Sequence, residues 1–321
     1  MRKENSIMGK MMGHREFNIL ALVVLVIAIL SFASPYFLTT RNFLTLGINL
    51  SVDSILVIGM TMVLATGGVD LSIGSILGLS GMATGIFHVT YGLNIWLACF
   101  LAILMAGILG VINGFMIGKV KITPLIVTLA MMGMARGLTY VVTQGSTVAV
   151  PDAPDAYLML GKGDILGFPV IIIIAVVLLI IFDIMMRNMM VFRKMYYVGS
   201  NEKATRLSGI NVFKTKMSTY VLNAIFCGIA GVLTLSRFTV ATPKAGIGSE
   251  MRIISACVIG GASLSGGVGT VLGSLSGLIL LSIVNNGLIL LDVSIYWQDF
   301  ISGAILLIAV TIDKVTSSKR I

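Results

Sequence analysis

The stretch from Val170 to Phe182 reads VIIIIAVVLLIIF and is apolar at every position. A strand of a transmembrane barrel alternates apolar and polar residues, and a surface helix keeps a polar face. A run with neither pattern is a helix enclosed on all sides by protein or lipid. Apolar stretches bounded by charged or Gly/Pro-rich breaks recur at about 17–38, 46–66, 72–90, 94–117, 123–142, 165–186, 216–236, 251–264, 268–290 and 294–312. A span needs ~20 apolar residues, so the chain is expected to be an all-α polytopic membrane protein with about ten transmembrane helices, the eighth the shortest. The composition agrees, with 57% hydrophobic and 11% charged residues and a mean hydropathy of +1.04.

The expected organisation is an N-terminal tail (1–16), one transmembrane domain (17–312) and a C-terminal tail (313–321). With 321 residues, no room remains for a soluble catalytic domain. The first apolar run is too long for a signal-peptide core and reads as an uncleaved first span. The cysteines Cys99, Cys227 and Cys257 fall singly within apolar segments and read as core residues. Neither cysteine nor histidine spacing suggests a metal site, and no nucleophile–base pattern suggests catalysis; no cofactor is expected.

The net charge of +9 points to membrane topology rather than to nucleic acid. With the N-terminus inside, sixteen Lys and Arg fall in inner segments, including Lys119, Lys121 and seven between 187 and 216. Arg41, Lys162, Arg237, Lys244 and Arg252 lie outside or near that edge, and Arg136 lies within a span, where it needs a carboxylate or water. Both termini are therefore predicted to be cytoplasmic. The outer loop 143–164 either caps a pore, meets an external partner or is a plain connector. The inner loop, about 187–215, contains YVGSNEKATRLSGI, with Ser200 or Asn201 as N-cap, Glu202 in the first turn, Arg206 in the last and Gly209 just beyond. That order predicts a short capped helix.

Two glycine-rich breaks match each other. TGGVDLSIGSILGL at 66–79 laid over SGGVGTVLGSLSGL at 265–278, a constant offset of 199, gives seven identities in fourteen positions. A weak internal repeat running parallel rather than inverted is the expected cause. Paired glycine interruptions mark translocation paths in transporters, so Gly67, Gly68, Gly266 and Gly267 are either hinges or sites of close helix packing. The pentapeptide Leu264–Val268 is one letter from the LSGGQ signature of cassette ATPases, but neither a P-loop nor an acidic Walker B strand accompanies it.

Four segments, GMTMVLATGGVDLSIGSILGLSG (59–81), VGSNEKATRLSGINVFKTK (198–216), residues 241–288, and YWQDFISGAILLIAV (296–310), closely resemble the permease subunits of ribose-type ABC importers. The likeness runs from about residue 20 to 312. The N-E-x-A-x-R-L-S-G-I loop and the N-N-G-L segment resemble the sugar branch more than the branched-chain amino acid branch. The resemblance implies a multi-pass protein of the bacterial cytoplasmic membrane that performs no chemistry on its cargo. It also implies a second permease copy, two ATPase subunits and a periplasmic or lipid-anchored sugar-binding protein as partners. It makes loop 198–210 the coupling helix that docks into the ATPase, a pattern that Gly199, Asn201, Glu202, Ala204, Arg206 and Gly209 fit; Lys203 stands where a small residue is usual. A nucleoside, autoinducer furanoside or amino acid permease, or an ion-driven secondary transporter, are the alternatives.

Candidate path residues are Asn49, Asp53, Asp70, Asn285 and Asn286. Asn49 and Asp53, one turn apart, either line a polar path or hydrogen-bond to each other within a buried face. Asp70 either caps the third span together with Ser72 or takes part in gating. Asn285 and Asn286 either meet sugar hydroxyls or satisfy a helix broken by Gly287. Asp183 and Arg187 are expected to form an i,i+4 pair. Tyr296 and Trp297, followed by Gln298 and Asp299, read as an interfacial anchor.

Overall fold

The computed structural model describes residues 15–294 and, beyond them, residues 297, 300, 301, 303, 304, 307 and 311. Most of the 1–16 tail, most of the tenth predicted span with Tyr296, Gln298 and Asp299, and the 313–321 tail lie outside the described residues.

The chain begins with α1 (Arg15–Ala33) and α2 (Thr40–Ala65), the latter started by the Thr39 hydroxyl, which accepts from the Asn42 amide. Next come α3 (Ile73–Val89) and α4 (Ile95–Phe115), continued by a π turn over Met116–Val120 that ends at Lys121 with φ 66°. Helix α5 (Pro124–Thr143) opens on proline, whose missing N–H costs nothing in a first turn. There follow β1 (Val148–Ala149), α6 (Asp155–Lys162), the hairpin β2 (Asp164–Ile165) and β3 (Phe168–Pro169), α7 (Val170–Asn188), α8 (Met190–Ser200) and α9 (Glu202–Leu207). The chain closes with α10 (Val212–Phe238), β4 (Val240–Ala241), α11 (Ser249–Ile259) and α12 (Val271–Leu290). β1 pairs antiparallel with β4, tying the outer loop to the segment after α10.

Among the described residues, six helices are long and apolar enough to cross a membrane: α2, α4 with its π turn, α5, α7, α10 and α12. Two expectations change. The predicted span 165–186 starts only at Val170, because a tight hairpin occupies 164–169. The predicted span 251–264 is the eleven-residue α11, stopped at Ile259 by a turn whose Gly261, Gly266, Gly267 and Gly269 all have positive φ. Helix α3, at 17 residues, is also shorter than a typical span.

Helix α10 is the axis of the bundle, packed against α2, α3 and α4. Glycine permits the close approaches. A Cβ on Gly114 would lie 2.7 Å from the Cα of Met217, and one on Gly110 would lie 2.8 Å from the Cα of Val221. Helices α2 and α11 run in the same sense: Asp53 faces Arg252 and, further along, Thr61 faces Cys257. Helix α12 returns in the opposite sense, with Ser274 against Thr61 and Asn286 against Asn42. The helices that lead into the two glycine breaks, α2 and α11, thus run side by side in the same direction.

Candidate functional site

The two glycine breaks touch. The Gly267 amide donates to the carbonyl of Ala65 at 3.0 Å, and a Cβ on Gly266 would lie 2.8 Å from the Cα of Gly67. Gly199, at the end of α8, fits into the same junction with its α-carbon against the Ala65 carbonyl. Gly67, Gly266 and Gly267 have φ of 75°, 86° and 77°, a region costly to residues with a Cβ. Gly68 has ordinary φ but sits under the Tyr220 hydroxyl, which leaves no space for a methyl group. The four candidate hinge residues therefore lie at one junction, which also carries the segment leading into α9.

Helix α9 follows from local sequence. The Asn201 side chain accepts from the Ala204 amide at 2.9 Å, and Gly209 closes the helix with φ 79°. Glu202 pairs with Arg206 at 3.2 Å and with Lys216 of α10 at 2.7 Å. The Lys216 hydrogen bond, joined by the charges of Lys216, Arg206 and Lys121, outweighs the opposing effect of burial and holds the Glu202 carboxyl below the usual range. Lys203, Arg206 and Leu207 are exposed, so α9 presents a basic, partly apolar tip.

In the half of the bundle remote from α9 lies a cavity of about 1270 Å³ between α2, α3 and α10 on one side and α11 and α12 on the other. It exceeds the ~300–1,000 Å³ of a typical ligand cleft or cavity. Asn49, Asp53, Asn285 and Asn286 line it. Asn49 and Asp53 do not bond to each other; each takes an arginine. Arg237 Nη2 donates to Asn49 Oδ1 at 2.8 Å, and the Arg237 guanidinium lies 4.8 Å from the centre of the Phe238 ring. Arg252 grips both Asp53 oxygens, Nε to Oδ2 at 3.1 Å and Nη2 to Oδ1 at 3.1 Å. Asn286 forms a reciprocal amide pair with Asn42, at 3.0 and 2.8 Å.

Asp70 is elsewhere. It is fully buried and off the cavity wall. Its Oδ1 accepts from the Ser72 amide at 2.8 Å and from the Ser72 hydroxyl at 2.5 Å, and its Oδ2 accepts from Asn223 Nδ2 at 2.8 Å. These bonds lie in the turn that leads into α3, and the one from Asn223 ties that turn to α10. The cavity wall on the α10 side is re-entrant: after β4, residues 242–248 fold back against the start of α3, where the backbones of Gly246 and Gly74 meet without space for a side chain. Arg136 of α5 secures this turn by donating to the carbonyls of Pro243 at 2.6 Å and Ala245 at 2.8 Å.

Residues 40–310 match the family described as branched-chain amino acid transport system / permease component. The ribose import permease protein RbsC of Haemophilus influenzae is 37% identical over 95% of this chain and 94% of its own length. RbsC of Bacillus subtilis is 39% identical over 93% and 92%, and the L-arabinose transport system permease protein AraH of Escherichia coli is 36% identical over 87% and 84%. No solved structure matches. The chain belongs to this permease family.

Seen as a permease of that family, a multi-pass protein of the inner membrane, the chain yields cavity residues that sequence reasoning missed. Arg237 and Arg252 were expected near the outer edge as topological charges, yet both face the cavity as partners of Asn49 and Asp53. The signal was present for one of them, because Asp53 and Arg252 are separated by the same 199 positions as the two matching glycine breaks. The i,i+4 pair of Asp183 and Arg187 is formed at 2.7 Å, and Asp183 also accepts from the Leu272 amide in the first turn of α12.

Proposed function

We infer that this chain is the membrane-spanning subunit of an ABC importer that takes up a neutral monosaccharide through the cavity described above. The observation that carries the reading is the placement of two features in one bundle. A large cavity with Asn49, Asp53, Arg237 and Arg252 on one wall lies in one half, a capped basic helix lies at the other end, and the Gly199–Ala65–Gly267 junction joins them. Curated relatives named for ribose and L-arabinose import, similar over nearly their whole length, support the cargo class. In this reading α9 is the coupling helix and faces the cytoplasm, as do both termini, and the cavity opens outward to an extracytoplasmic sugar-binding protein. Helices α1, α3, α11 and the 294–312 segment complete about ten membrane passages. A second permease copy and two ATPase subunits complete the complex. Asn49, Asp53, Asn285 and Asn286 line the path, and Gly67, Gly266 and Gly267 transmit the movement of α9.

Co-purification tests the coupling assignment. Glu202→Lys combined with Arg206→Glu keeps the intrahelical pair in reversed order and reverses the charges offered to a partner, at the loss of the Lys216 bond. The ATPase subunit is expected to be lost from the purified complex while the permease keeps its size-exclusion profile. Undiminished recovery of the ATPase contradicts the assignment.

A further inference from the structure

The β2–β3 hairpin carries a residue that its backbone disfavours. Ile165 pairs with Phe168, so Leu166 and Gly167 alone make the loop, with φ of 54° and 84°. A two-residue loop with both φ values positive is the usual place of Asn, Asp or Gly, and a leucine there is strained. No contact within the chain repays that strain. Leu166 is 95% exposed, and beside it Phe168 is 65% and Ile165 47% exposed. Asp164, the one charged residue of the hairpin, stays at its base and accepts from the Gly167 amide at 3.3 Å. The result is an apolar tip on a polar base, and whatever receives the tip lies outside the chain.

The neighbouring helix identifies the receiver. The Val170 amide donates to the Gly163 carbonyl at 2.9 Å, which fixes the hairpin to the first turn of α7. From Ile173 to Ile184 every exposed residue of α7 is apolar, so this face meets lipid, and the first exposed charge is Arg187. The seventeen residues from Val170 to Met186 rise about 25 Å at 1.5 Å per residue, less than the ~30 Å hydrocarbon core. Arg187 and Asn188 mark the end toward α8, so the missing length falls at the hairpin, where Ile165, Leu166 and Phe168 can supply it. Trp96, half-exposed at the start of α4 with its ring 6.2 Å from that of Tyr157 in α6, is an interfacial aromatic at the same end of the bundle.

We propose that the 164–169 hairpin is immersed in the boundary between headgroups and acyl chains in the leaflet remote from α9, where Leu166 and Phe168 contact lipid and complete the hydrophobic length of α7. Its partner is the membrane surface, to which the lipid-facing side of α7 leads without a break. The inference needs only that α7 spans the membrane, and it is independent of the cargo.

Spin labels test it. The full-length chain, in a background lacking the native cysteines, carries a nitroxide at Leu166→Cys, at Asp152→Cys in the exposed loop before α6, or at Ile180→Cys on the lipid face of α7, in phosphatidylcholine nanodiscs. Power-saturation EPR compares collisions with oxygen, which concentrates in lipid, and with a nickel chelate, which stays in water. The oxygen-to-nickel ratio at position 166 is expected to be several-fold above that at 152, below that at 180, and unchanged by the extracytoplasmic binding protein. Nickel access at 166 equal to that at 152 overturns the proposal. So does a label at 166 that is open to nickel in the chain alone and shielded once the binding protein is added, because the hairpin would then be a protein contact. A second measurement uses Leu166→Asn with Phe168→Ser, which relaxes the turn and removes the apolar tip. Relative to the parent, its unfolding temperature is expected to drop several degrees further in thick dieicosenoyl than in thin dimyristoleoyl phosphatidylcholine bilayers, because the thicker core demands the length the tip supplies. An equal drop in both lipids, or a gain in both as for an ordinary turn, overturns the proposal.

Discussion

Gly266 lies against Gly67 backbone to backbone: a Cβ on Gly266 would stand 2.8 Å from both the Cα and the amide nitrogen of Gly67 and 2.9 Å from the Cα of Gly199. Gly266→Ala thus adds a steric conflict with two backbones to the ~1–2 kcal/mol of a left-handed non-glycine residue. On Gly67 a Cβ finds nothing nearer than 3.4 Å, so Gly67→Ala carries the conformational cost alone. Gly266→Ala is expected to lower both thermal stability and uptake per folded molecule more than Gly67→Ala does. Equal or reversed effects in a thermal unfolding assay paired with uptake would contradict the junction described above.

Asp70 is predicted to be structural. Removing its carboxylate in Asp70→Ala strands the Ser72 amide and Asn223 Nδ2, both buried, at ~1–3 kcal/mol per orphaned group. A loss of roughly 2–5 kcal/mol is expected, seen as poor accumulation and a lowered unfolding temperature. Because removing both members of a buried pair costs less than removing one, Asp70→Ala with Asn223→Ala should be less destabilised than the sum of the two single variants. Full stability of Asp70→Ala, with transport alone reduced, would place Asp70 in the path instead.

Arg136 holds the re-entrant turn through two carbonyl bonds. Charge-assisted hydrogen bonds contribute about 1.5–3 kcal/mol each, so Arg136→Ala should loosen residues 242–248 ahead of the rest of the bundle. In a background lacking the native cysteines, a cysteine at position 244 should react with a soluble maleimide several-fold faster when Arg136 is Ala than when it is Arg. Unchanged reactivity would show that the turn is held by the Gly74–Gly246 packing alone.

Glu202 supplies a pH dependence with a defined sign. Its folded-state carboxyl lies below the ordinary 4.5 because of Lys216, so its stabilising contribution is present above that ordinary value and is lost as pH falls through the lower folded one. The carboxylate side chain is 39% exposed, which limits the contribution to below about 1 kcal/mol. Glu202→Gln should therefore unfold slightly earlier than the parent at pH 7, and the difference should vanish on acidification below the folded pKa. A difference that persists or grows in acid contradicts the pairing.

What the sequence made legible follows the reach of each interaction. Helix α9 was readable because Asn201, Glu202, Arg206 and Gly209 act within a few residues of one another. A local role for Asp70 beside Ser72 was one of two readings open for the same reason, whereas its bond to Asn223 spans 153 positions. The turn at 242–248 reads as a connector because glycine and proline interrupt any periodicity there, and its anchor to Arg136 uses backbone carbonyls, which leave no trace in side-chain identity. Counting Arg237 and Arg252 as topological charges left out their direction; that is set by α10 and α11 turning them toward Asn49 and Asp53.

The most direct test of the central claim is uptake in proteoliposomes. The chain is reconstituted with its ATPase subunit, the sugar-binding protein is supplied outside, and labelled monosaccharide is followed with ATP enclosed. Accumulation that requires ATP and both partners, and that is abolished by the Glu202→Lys/Arg206→Glu pair, is predicted. Accumulation by the chain alone under a proton or sodium gradient, without ATPase or binding protein, would contradict it.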